Sequence, residues 1–356
     1  MEANKILCVG NWESDVGYAW WLMERFWEAI ALRYPGRVTI SYKRLGAVSP
    51  RLIAAGAQFV EYDFDVNRPL APFVKQHGFR HLYLTDKPYI CTAYARLRMA
   101  GVKNIVMHDH MPGERHEPAG IKRLLKAAAA RVRPCAADAY IAVSELGMRR
   151  FSHSVCLPEE RCHLARNGVD MALDIVPTDI RSELGLPSNA VVIVSCGRAT
   201  RYKGVHHIIE AARRVNAHFV HLGDGPDLES FRRDAPANYH FLGKRSDVAG
   251  VLASADIAVH ASAGEGLSLA ILEFMRAGLP IVLTNSPTVS QSVQDGVSAL
   301  LYEPGNVGQL TEKLSALVSS ASLRASLGAA AKVRAQSYNI DHTVAAVLSV
   351  FDRLRV

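Results

Sequence analysis

The chain has 356 residues, of which 49% are hydrophobic and 21% are charged, and its formal net charge is +7. This balance is typical of folded globular proteins and excludes a fibrous or disordered chain. The length exceeds what one small core requires and fits two α/β domains.

Three observations bear on the compartment. No run of about 18 apolar residues occurs, so we expect no transmembrane helix. The N-terminal sequence MEANKILCVGNWES lacks the basic leader and long apolar stretch of a signal peptide, and it is interpreted as a first strand. The six cysteines are scattered without a CxxC pair, which favours reduced thiols. We therefore expect a cytoplasmic protein.

In the first half of the chain, short apolar runs alternate with helical patterns, which is typical of βαβ units with a parallel sheet. The predicted strands are Lys5–Val9, Val38–Tyr42, Gln58–Tyr62, His81–Leu84, Asn104–Met107 and Ala139–Val143. The helices predicted between them are Ala19–Leu32, Tyr89–Ala100 and Gly120–Val132.

The second half repeats this alternation with six further strands. They are predicted at Val191–Cys196, His218–Leu222, Tyr239–Leu242, Ile257–His260, Ile281–Thr284 and Ala299–Tyr302. The helical patterns cover Gly204–Val215, Pro226–Asp234, Val248–Ala253, Leu267–Ala277 and Val307–Ser319. Two sets of six strands predict two Rossmann-like domains.

The domain boundaries follow from these patterns. Pro177, Gly185 and Pro187 interrupt any regular period between the two sets of strands. We predict one Rossmann-like domain at residues 1–170 and a second at residues 171–338. The last segment, residues 339–356, is an amphipathic helix that we expect to pack back on the first domain.

The positive charge is unevenly distributed. Residues 1–170 hold 24 Lys and Arg against 17 Asp and Glu, whereas the remainder holds 17 of each. No acidic residue occurs between Gly120 and Pro134, a stretch that includes the predicted helix Gly120–Val132. The basic residues in this stretch are Lys122, Arg123, Lys126, Arg131 and Arg133. A basic amphipathic helix favours an anionic membrane surface; a solvated helix face explains the pattern equally well. No aromatic-interleaved basic motif points to nucleic acid.

A first binding motif follows the strand that ends at Cys196. Gly197 and Arg198 are followed five residues later by Lys203 and Gly204, at the start of a helix. Backbone N–H groups at a helix N-terminus suit a phosphate, and the two cationic side chains can neutralise a diphosphate. Solvated loop residues are the alternative interpretation.

Two weaker motifs follow the next strands. Gly223, Gly225 and Pro226 form a glycine turn at a helix start, which an ordinary βα turn also explains. Lys244 and Arg245 end another strand, where a nucleobase could meet the backbone.

The most specific motif is the segment SAGEGLSLAILE, which begins at Ser262. Glu265 lies in its glycine loop among free N–H groups, where a carboxylate or a sugar hydroxyl is well held. Glu273 lies about two turns into the following helix, and its two oxygens match a vicinal diol such as a ribose. Because the helix is otherwise apolar, a carboxylate on it needs a partner.

The stretch from Val191 to Tyr302 resembles the donor domain of retaining GT-B glycosyltransferases of family 4. The matching pieces are GRATRYKG, HLGDGPDLESF, FLGKRSDVAGVLASADIAVHAS, EGLSLAILE and FMRAGLPIVLTN. The first half resembles the family through VMHDH, AVSE and RNGVD. The resemblance implies an α/β chain of the GT-B class, with two Rossmann-like domains that face each other across a cleft.

The resemblance also implies site roles. Arg198 and Lys203 would hold the donor diphosphate and Glu273 the ribose, while His108 would lie near the reacting sugar. His110 is the alternative, and a purely structural His108 is a further one. The predicted catalytic residues are His108, Arg198, Lys203 and Glu265, and the predicted donor-binding residues are Gly197, Arg198, Lys203, Gly225, Arg245, Glu265, Gly266, Leu267, Ser268 and Glu273.

The implied function is retaining transfer of a sugar from a UDP- or GDP-linked donor. The acceptor would be a sugar or a lipid-linked sugar that meets the first domain, in the assembly of cell-surface polysaccharide or glycolipid. We expect no cofactor, no metal and no nucleic acid, and a cytoplasmic enzyme that is peripheral on the inner face of the membrane. An epimerase- or phosphorylase-like enzyme is the rival, and a nucleic-acid-binding protein a more distant one.

The sequence departs from the family at two loops, of which the first follows Val9, where Gly10 and Gly17 stand apart instead of adjacent. After Asn285 the family has paired glycines and a glutamate, whereas this chain has Ser286-Pro287-Thr288 and then Gln291. This departure leaves the identity of the donor sugar open.

Overall fold

The chain forms two compact units in a computed structural model that describes residues 4–10, 12–14, 21–63, 70–111 and 116–356. The first unit comprises residues 1–166 and 342–356, and the second comprises residues 167–341. The first boundary lies four residues before the predicted one, and the second lies three residues after the predicted one. Within the described ranges, no helix combines the length and apolar character needed to cross a bilayer.

The first unit is built on a parallel sheet that has seven strands in the described part of the chain. The strands are β1 (Lys5–Val9), β2 (Val38–Tyr42), β3 (Gln58–Glu61), β4 (Phe79–Thr85), β5 (Asn104–Asp109), β6 (Ala139–Ala142) and β7 (Cys162–Leu164). Their spatial order is β3-β2-β1-β4-β5-β6-β7, so the first six follow the Rossmann order. The central strands are buried, as a sheet covered on both faces requires.

Helices cover the two faces of this sheet. They are α1 (Trp21–Arg33), α2 (Pro50–Ala54), α3 (Leu70–His77), α4 (Thr92–Met99), α5 (Gly120–Arg131) and α6 (Glu145–Arg149). The chain returns to this unit through its last helix, Ile340–Arg353. Phe351 lies with its ring centroid 6.2 Å from that of Tyr34, and the Arg33 guanidinium is 3.1 Å from the Asp352 carboxylate.

The second unit contains a parallel sheet with six strands in the described residues. The strands are β8 (Val192–Cys196), β9 (His218–Leu222), β10 (Tyr239–Gly243), β11 (Ile257–His260), β12 (Ile281–Thr284) and β13 (Leu300–Tyr302). Their order, β10-β9-β8-β11-β12-β13, again places the first and fourth strands side by side. The direction in which successive strands are added therefore reverses between β8 and β11, and ligands bind at this point in sheets of this kind.

The helices of the second unit complete its two outer layers. They are α7 (Ile180–Glu183), α8 (Val205–Ala212), α9 (Leu228–Asp234), α10 (Val248–Ser254), α11 (Leu269–Arg276), α12 (Pro287–Ser290), α13 (Val307–Ser319) and α14 (Ala321–Ala335), followed by α15 (Ile340–Arg353), which continues into the first unit.

The prediction of six strands in the first half is wrong by one. The missing strand, β7, is only three residues long, and its side chains are half-buried. A run that short shows no hydrophobic period of its own. It forms because Tyr140, Ile141 and Ala142 of β6 offer a free edge with which it pairs.

Candidate functional site

The carboxyl ends of β8 and β11 meet at the point where the strand order of the second sheet reverses. Gly197 and Arg198 follow β8, and the loop with Glu265 follows β11. Side chains that lie far apart in sequence are therefore brought to one crevice-forming edge. The sequence motifs from Gly197 to Glu273 are concentrated at this edge.

Glycines allow the loops at this edge to approach one another closely. Gly204 has φ +70° and packs on Ala261, so that a Cβ there would collide with the Ala261 carbonyl oxygen. Gly223 has φ +135° and lies against the carbonyl of Gly197 in the same way. A side chain at either position would be strained and would separate the loops. The glycines thus fix the backbone around the site.

Glu265 is the centre of a buried ionic cluster. It is 8% exposed, and its Oε1 accepts hydrogen bonds from Lys203 Nζ at 2.7 Å and from His260 Nε2 at 2.8 Å. Burial alone would raise the pKa of the carboxyl, but the hydrogen bonds and charges of His260 and Lys203 outweigh it and lower the pKa of Glu265 to about 2. Glu265 is therefore ionised at every physiological pH.

The loop around Glu265 is held so that it keeps backbone N–H groups available. Gln291 donates to the Gly266 carbonyl and Asn167 to the Leu267 carbonyl, both at 2.8 Å. Within the described residues, the amides of Gly266, Leu267 and Ser268, which lead into α11, have no hydrogen-bond acceptor. Unbonded N–H groups at a helix start favour an anion or a sugar oxygen.

Glu273 lies on α11 and is 5% exposed. Burial raises the pKa of the Cys196 thiol at the end of β8, and the nearby Glu273 carboxylate raises it further. The carboxylate therefore lies close to the end of β8 and the turn at Gly197. A buried acidic group in such a position requires polar partners.

Arg198 supplies a free cation beside this cluster. Its side chain is exposed, and the described residues provide it with no ion pair or hydrogen bond. Gly225 packs on Ala199, the residue after Arg198, and Ala199 N–H donates to the Asp224 carbonyl at 3.0 Å. The turn after β9 therefore supports the turn after β8.

Arg245 and His108, two residues predicted for the site, lie in surroundings that differ from the prediction. Arg245 is bound by the carboxylates of Asp247, at 2.8 Å, and Glu183, at 2.5 Å, and these hydrogen bonds raise its pKa further. Its charge is already balanced, so it is not a free cation for a ligand. His108 belongs to the first unit and has no exposed surface.

The ring of His108 is held inside the first unit. Its Nδ1 lies 2.5 Å from the Tyr83 hydroxyl, and burial lowers its pKa well below the usual value. His108 is therefore neutral. His110, the alternative from the sequence, is half-buried, and its ring centroid lies 4.2 Å from that of His108.

Sequence reasoning missed three residues of the site: His260, Asn167 and Gln291. His260 ends β11, five residues before Glu265, and a histidine at a strand end before a carboxylate loop was the available signal. Asn167 and Gln291 act on the loop across 100 and 25 residues of sequence; both lie in segments that the sequence analysis singled out, but no local signal links them to the loop. Among the described residues, no group of three or more His, Cys, Asp or Glu side chains could hold a metal ion.

The fold is similar to that of solved glycosyltransferases. A glycosyltransferase from Rickettsia africae matches 100% of this chain and 99% of its own, with a TM-score of 0.74 and 16% identity. Anabaena HepE in complex with UDP-glucose covers 98% and 99%, with a TM-score of 0.76 and 20% identity. The prediction of the GT-B fold, with two Rossmann-like domains, is confirmed.

The second unit carries the sequence similarity. Residues 177–334 match the family model of the glycosyl transferases group 1. The lipopolysaccharide core biosynthesis glycosyltransferase LpsE of Rhizobium meliloti is 31% identical over 153 residues, which are 41% of this chain and 45% of LpsE. A D-inositol 3-phosphate glycosyltransferase from Arthrobacter is 26% identical over 276 residues, which are 71% of this chain and 62% of that enzyme. The chain spans less than two thirds of the length of each of these relatives.

Proposed function

We propose that this protein is a glycosyltransferase that moves a sugar from a nucleoside-diphosphate sugar to an acceptor hydroxyl. The observation that carries the proposal is the cluster of Lys203, Glu265 and His260 beside the free Arg198, at the reversal point of the second sheet. The group 1 family model and the names of the relatives support it.

The diphosphate and the ribose of the nucleotide-sugar donor each have protein groups that can bind them. Arg198 and Lys203 hold the diphosphate together with the amides of Gly266, Leu267 and Ser268, because cations and unbonded N–H groups stabilise phosphate oxygens. Glu273 accepts hydrogen bonds from the ribose hydroxyls.

Glu265 binds the donor sugar and does not transfer protons. A carboxyl with a pKa of about 2 is a poor general acid near pH 7. Its Oε1 is occupied by Lys203 and His260, and its Oε2 accepts from a sugar hydroxyl. Glu265 also fixes the position of the Lys203 ammonium beside the departing phosphate.

The transfer retains the configuration of the anomeric carbon, as the resemblance to family 4 implies. The bond from that carbon to the diphosphate oxygen breaks, and the acceptor oxygen bonds to the same face of the sugar. The acceptor proton passes to the departing phosphate. Lys203, Arg198 and the loop amides stabilise the charge that develops on the diphosphate, which is the main catalytic task of the protein here.

The base and sugar can be identified by thermal shift. We expect UDP or GDP, or one of their sugars, to raise the melting temperature, since a ligand at 100 times its dissociation constant stabilises the folded state by about 2.7 kcal/mol. The panel should include ADP and free ribose 5-phosphate as controls. If no nucleoside diphosphate raises the melting temperature, the donor site is not here. Nucleotide binding without any transfer product would favour an epimerase-like enzyme.

The acceptor is a lipid-linked sugar at an anionic membrane surface. In α5 only Ala130 is buried, while Ile121, Leu124 and Leu125 are 76%, 71% and 64% exposed. Exposed apolar side chains that alternate with Lys122 and Arg123 suit a helix that lies in the headgroup region. Lys126 contributes less, because its Nζ donates to the Ser154 carbonyl at 3.0 Å.

Vesicle flotation tests this surface. We expect binding to phosphatidylglycerol vesicles and roughly 30-fold weaker binding by Lys122→Glu/Arg123→Glu, because each basic residue near such lipid contributes about 1 kcal/mol. Leu124→Ser/Leu125→Ser should also weaken binding, because it removes apolar side chains that would be buried in the headgroup region. Lys75→Glu/Arg96→Glu changes two exposed charges on α3 and α4 and is the matched control. Equal flotation of all variants would show that α5 is a solvated helix.

A further inference from the structure

The first unit contains a cationic pocket at the edge of its sheet that the amino ends of the strands form. The cavity has a volume of about 480 Å³ and lies at the amino ends of β4 and β5, where it is lined by His81, Arg98, Lys103, Asn104, Arg133 and Arg355, among others. Asn104 begins β5 and His108 lies four residues further along the strand, which is about 13 Å at about 3.3 Å per residue. The pocket is therefore at the other end of β5 from His108, and all its lining residues belong to the first unit, whereas Arg198, Lys203 and Glu265 belong to the second.

The side chains of this pocket offer hydrogen-bond donors and positive charge. None of the lining residues described by the structure is Asp or Glu. Lys103 and Arg355 are exposed, and no carboxylate pairs with either in the described part of the chain. Arg98 is fixed by the carbonyls of Lys103 and Ala136, at 3.1 and 2.8 Å, and by the Asp138 carboxylate at 2.9 Å.

The His81 ring has a buried nitrogen that suggests a ligand. It is 2% exposed, and its Nε2 is buried without a hydrogen-bond partner in the described residues. The Asn104 amide nitrogen donates to the Leu354 carbonyl at 3.0 Å and lies 3.2 Å from His81 Nδ1. Because an amide nitrogen only donates, Nδ1 accepts and the ring hydrogen is on Nε2. His81, which lines the pocket, therefore carries a buried N–H donor that has no partner among the described residues.

We propose that this pocket binds a small phosphate-bearing anion, with His81 Nε2–H as the buried donor and Lys103 and Arg355 as the cationic groups. A converging set of N–H donors and cations matches a tetrahedral oxyanion. The volume lies within the range of small-molecule sites, which fits a phosphorylated metabolite better than a polymer. The inference does not depend on the proposed transferase function.

The pKa of His81 can report whether an anion occupies the pocket. Burial lowers the pKa of His81 to about 4, and the positive charges of Arg37, Lys103 and Arg80 add to the effect, against a smaller opposing influence of Asp138. A bound anion favours the protonated ring and should raise this pKa. The effect is local to the pocket, so it separates this site from phosphate binding at Arg198 and Lys203.

The test follows the His81 imidazole by ¹⁵N–¹H correlation spectroscopy of the full chain, with assignment by His81→Gln. Inorganic phosphate, pyrophosphate and citrate are titrated separately. We expect saturable shifts of the His81 nitrogens with pyrophosphate, a raised His81 pKa at saturation, and binding at least about tenfold weaker in Lys103→Gln/Arg355→Gln. The matched control Lys75→Gln/Arg96→Gln and the variant Arg198→Gln should bind as the parent does.

Three outcomes would overturn the proposal. The His81 signals could remain unchanged with phosphate and pyrophosphate, or the pocket variant could bind as tightly as the control. Citrate binding in place of the phosphates would show that the pocket selects carboxylates. Because Lys103 and Arg355 are exposed, their replacement should not unfold the chain, which circular dichroism verifies.

Discussion

Lys203→Gln is expected to reduce the turnover number roughly 10²- to 10³-fold, because it removes a cation that stabilises the departing diphosphate. The charge on the leaving oxygen develops only as the bond to the sugar breaks, so the Michaelis constant for the donor should change much less. The measurement is the initial rate of nucleoside diphosphate release from the donor that gives the largest thermal shift.

Two variants control this experiment. Lys203→Arg keeps the charge beside Glu265 and should retain more activity than the glutamine variant, although its planar group fits the position less well. Lys332→Gln removes an exposed charge on α14 and should have no effect. A Lys203→Gln enzyme that works within about threefold of the parent would show that Lys203 only holds Glu265 in place.

Glu265→Gln is expected to lower both stability and activity. The substitution preserves the volume but leaves Lys203 without its counter-charge and His260 without a charged acceptor, and breaking a buried ion pair costs roughly 3 kcal/mol. Transfer should fall further than binding of the free nucleoside diphosphate, since Glu265 meets the sugar. Urea denaturation and the rate of donor turnover measure the two effects, with the exposed Glu312→Gln as the control.

The contribution of Glu265 to the free energy of unfolding should depend on pH. The folded-state pKa of Glu265 is about 2, below its ordinary value of 4.5, so the unfolded chain binds the proton first on acidification. The stabilisation by Glu265 is complete above pH 4.5 and is lost as the pH falls toward 2. The difference in free energy of unfolding between the parent and Glu265→Gln should therefore shrink across that range. A constant difference would mean that folding does not lower the pKa of Glu265.

The strands could be predicted well because they are continuous apolar runs bounded by turn residues. Lys5–Val9, Val38–Tyr42 and Ile281–Thr284 have the same bounds in the sequence prediction and in the structure. The helix Ala321–Ala335 was missed because its apolar positions show weak periodicity in a sequence rich in alanine and serine. Its burial is set by packing on α11, which no local pattern reveals.

The site was predicted in part for the same reason. Glycine loops and a carboxylate near a helix start are local signals, so Glu265 and Glu273 could be found. The pairing of Glu265 with Lys203 could not, because it spans 62 residues of sequence. Arg245 looked like a free cation until Glu183, also 62 residues away, was found to bind it.

Titration of the nucleoside diphosphate against Glu273→Gln tests the central claim most directly. If Glu273 holds the ribose, isothermal calorimetry should give a dissociation constant that is roughly 30-fold or more above that of the parent, since hydrogen bonds to a charged group contribute about 1.5–3 kcal/mol each. Glu312→Gln should bind like the parent. An unchanged dissociation constant in Glu273→Gln would contradict the assignment of the nucleotide site to the second unit.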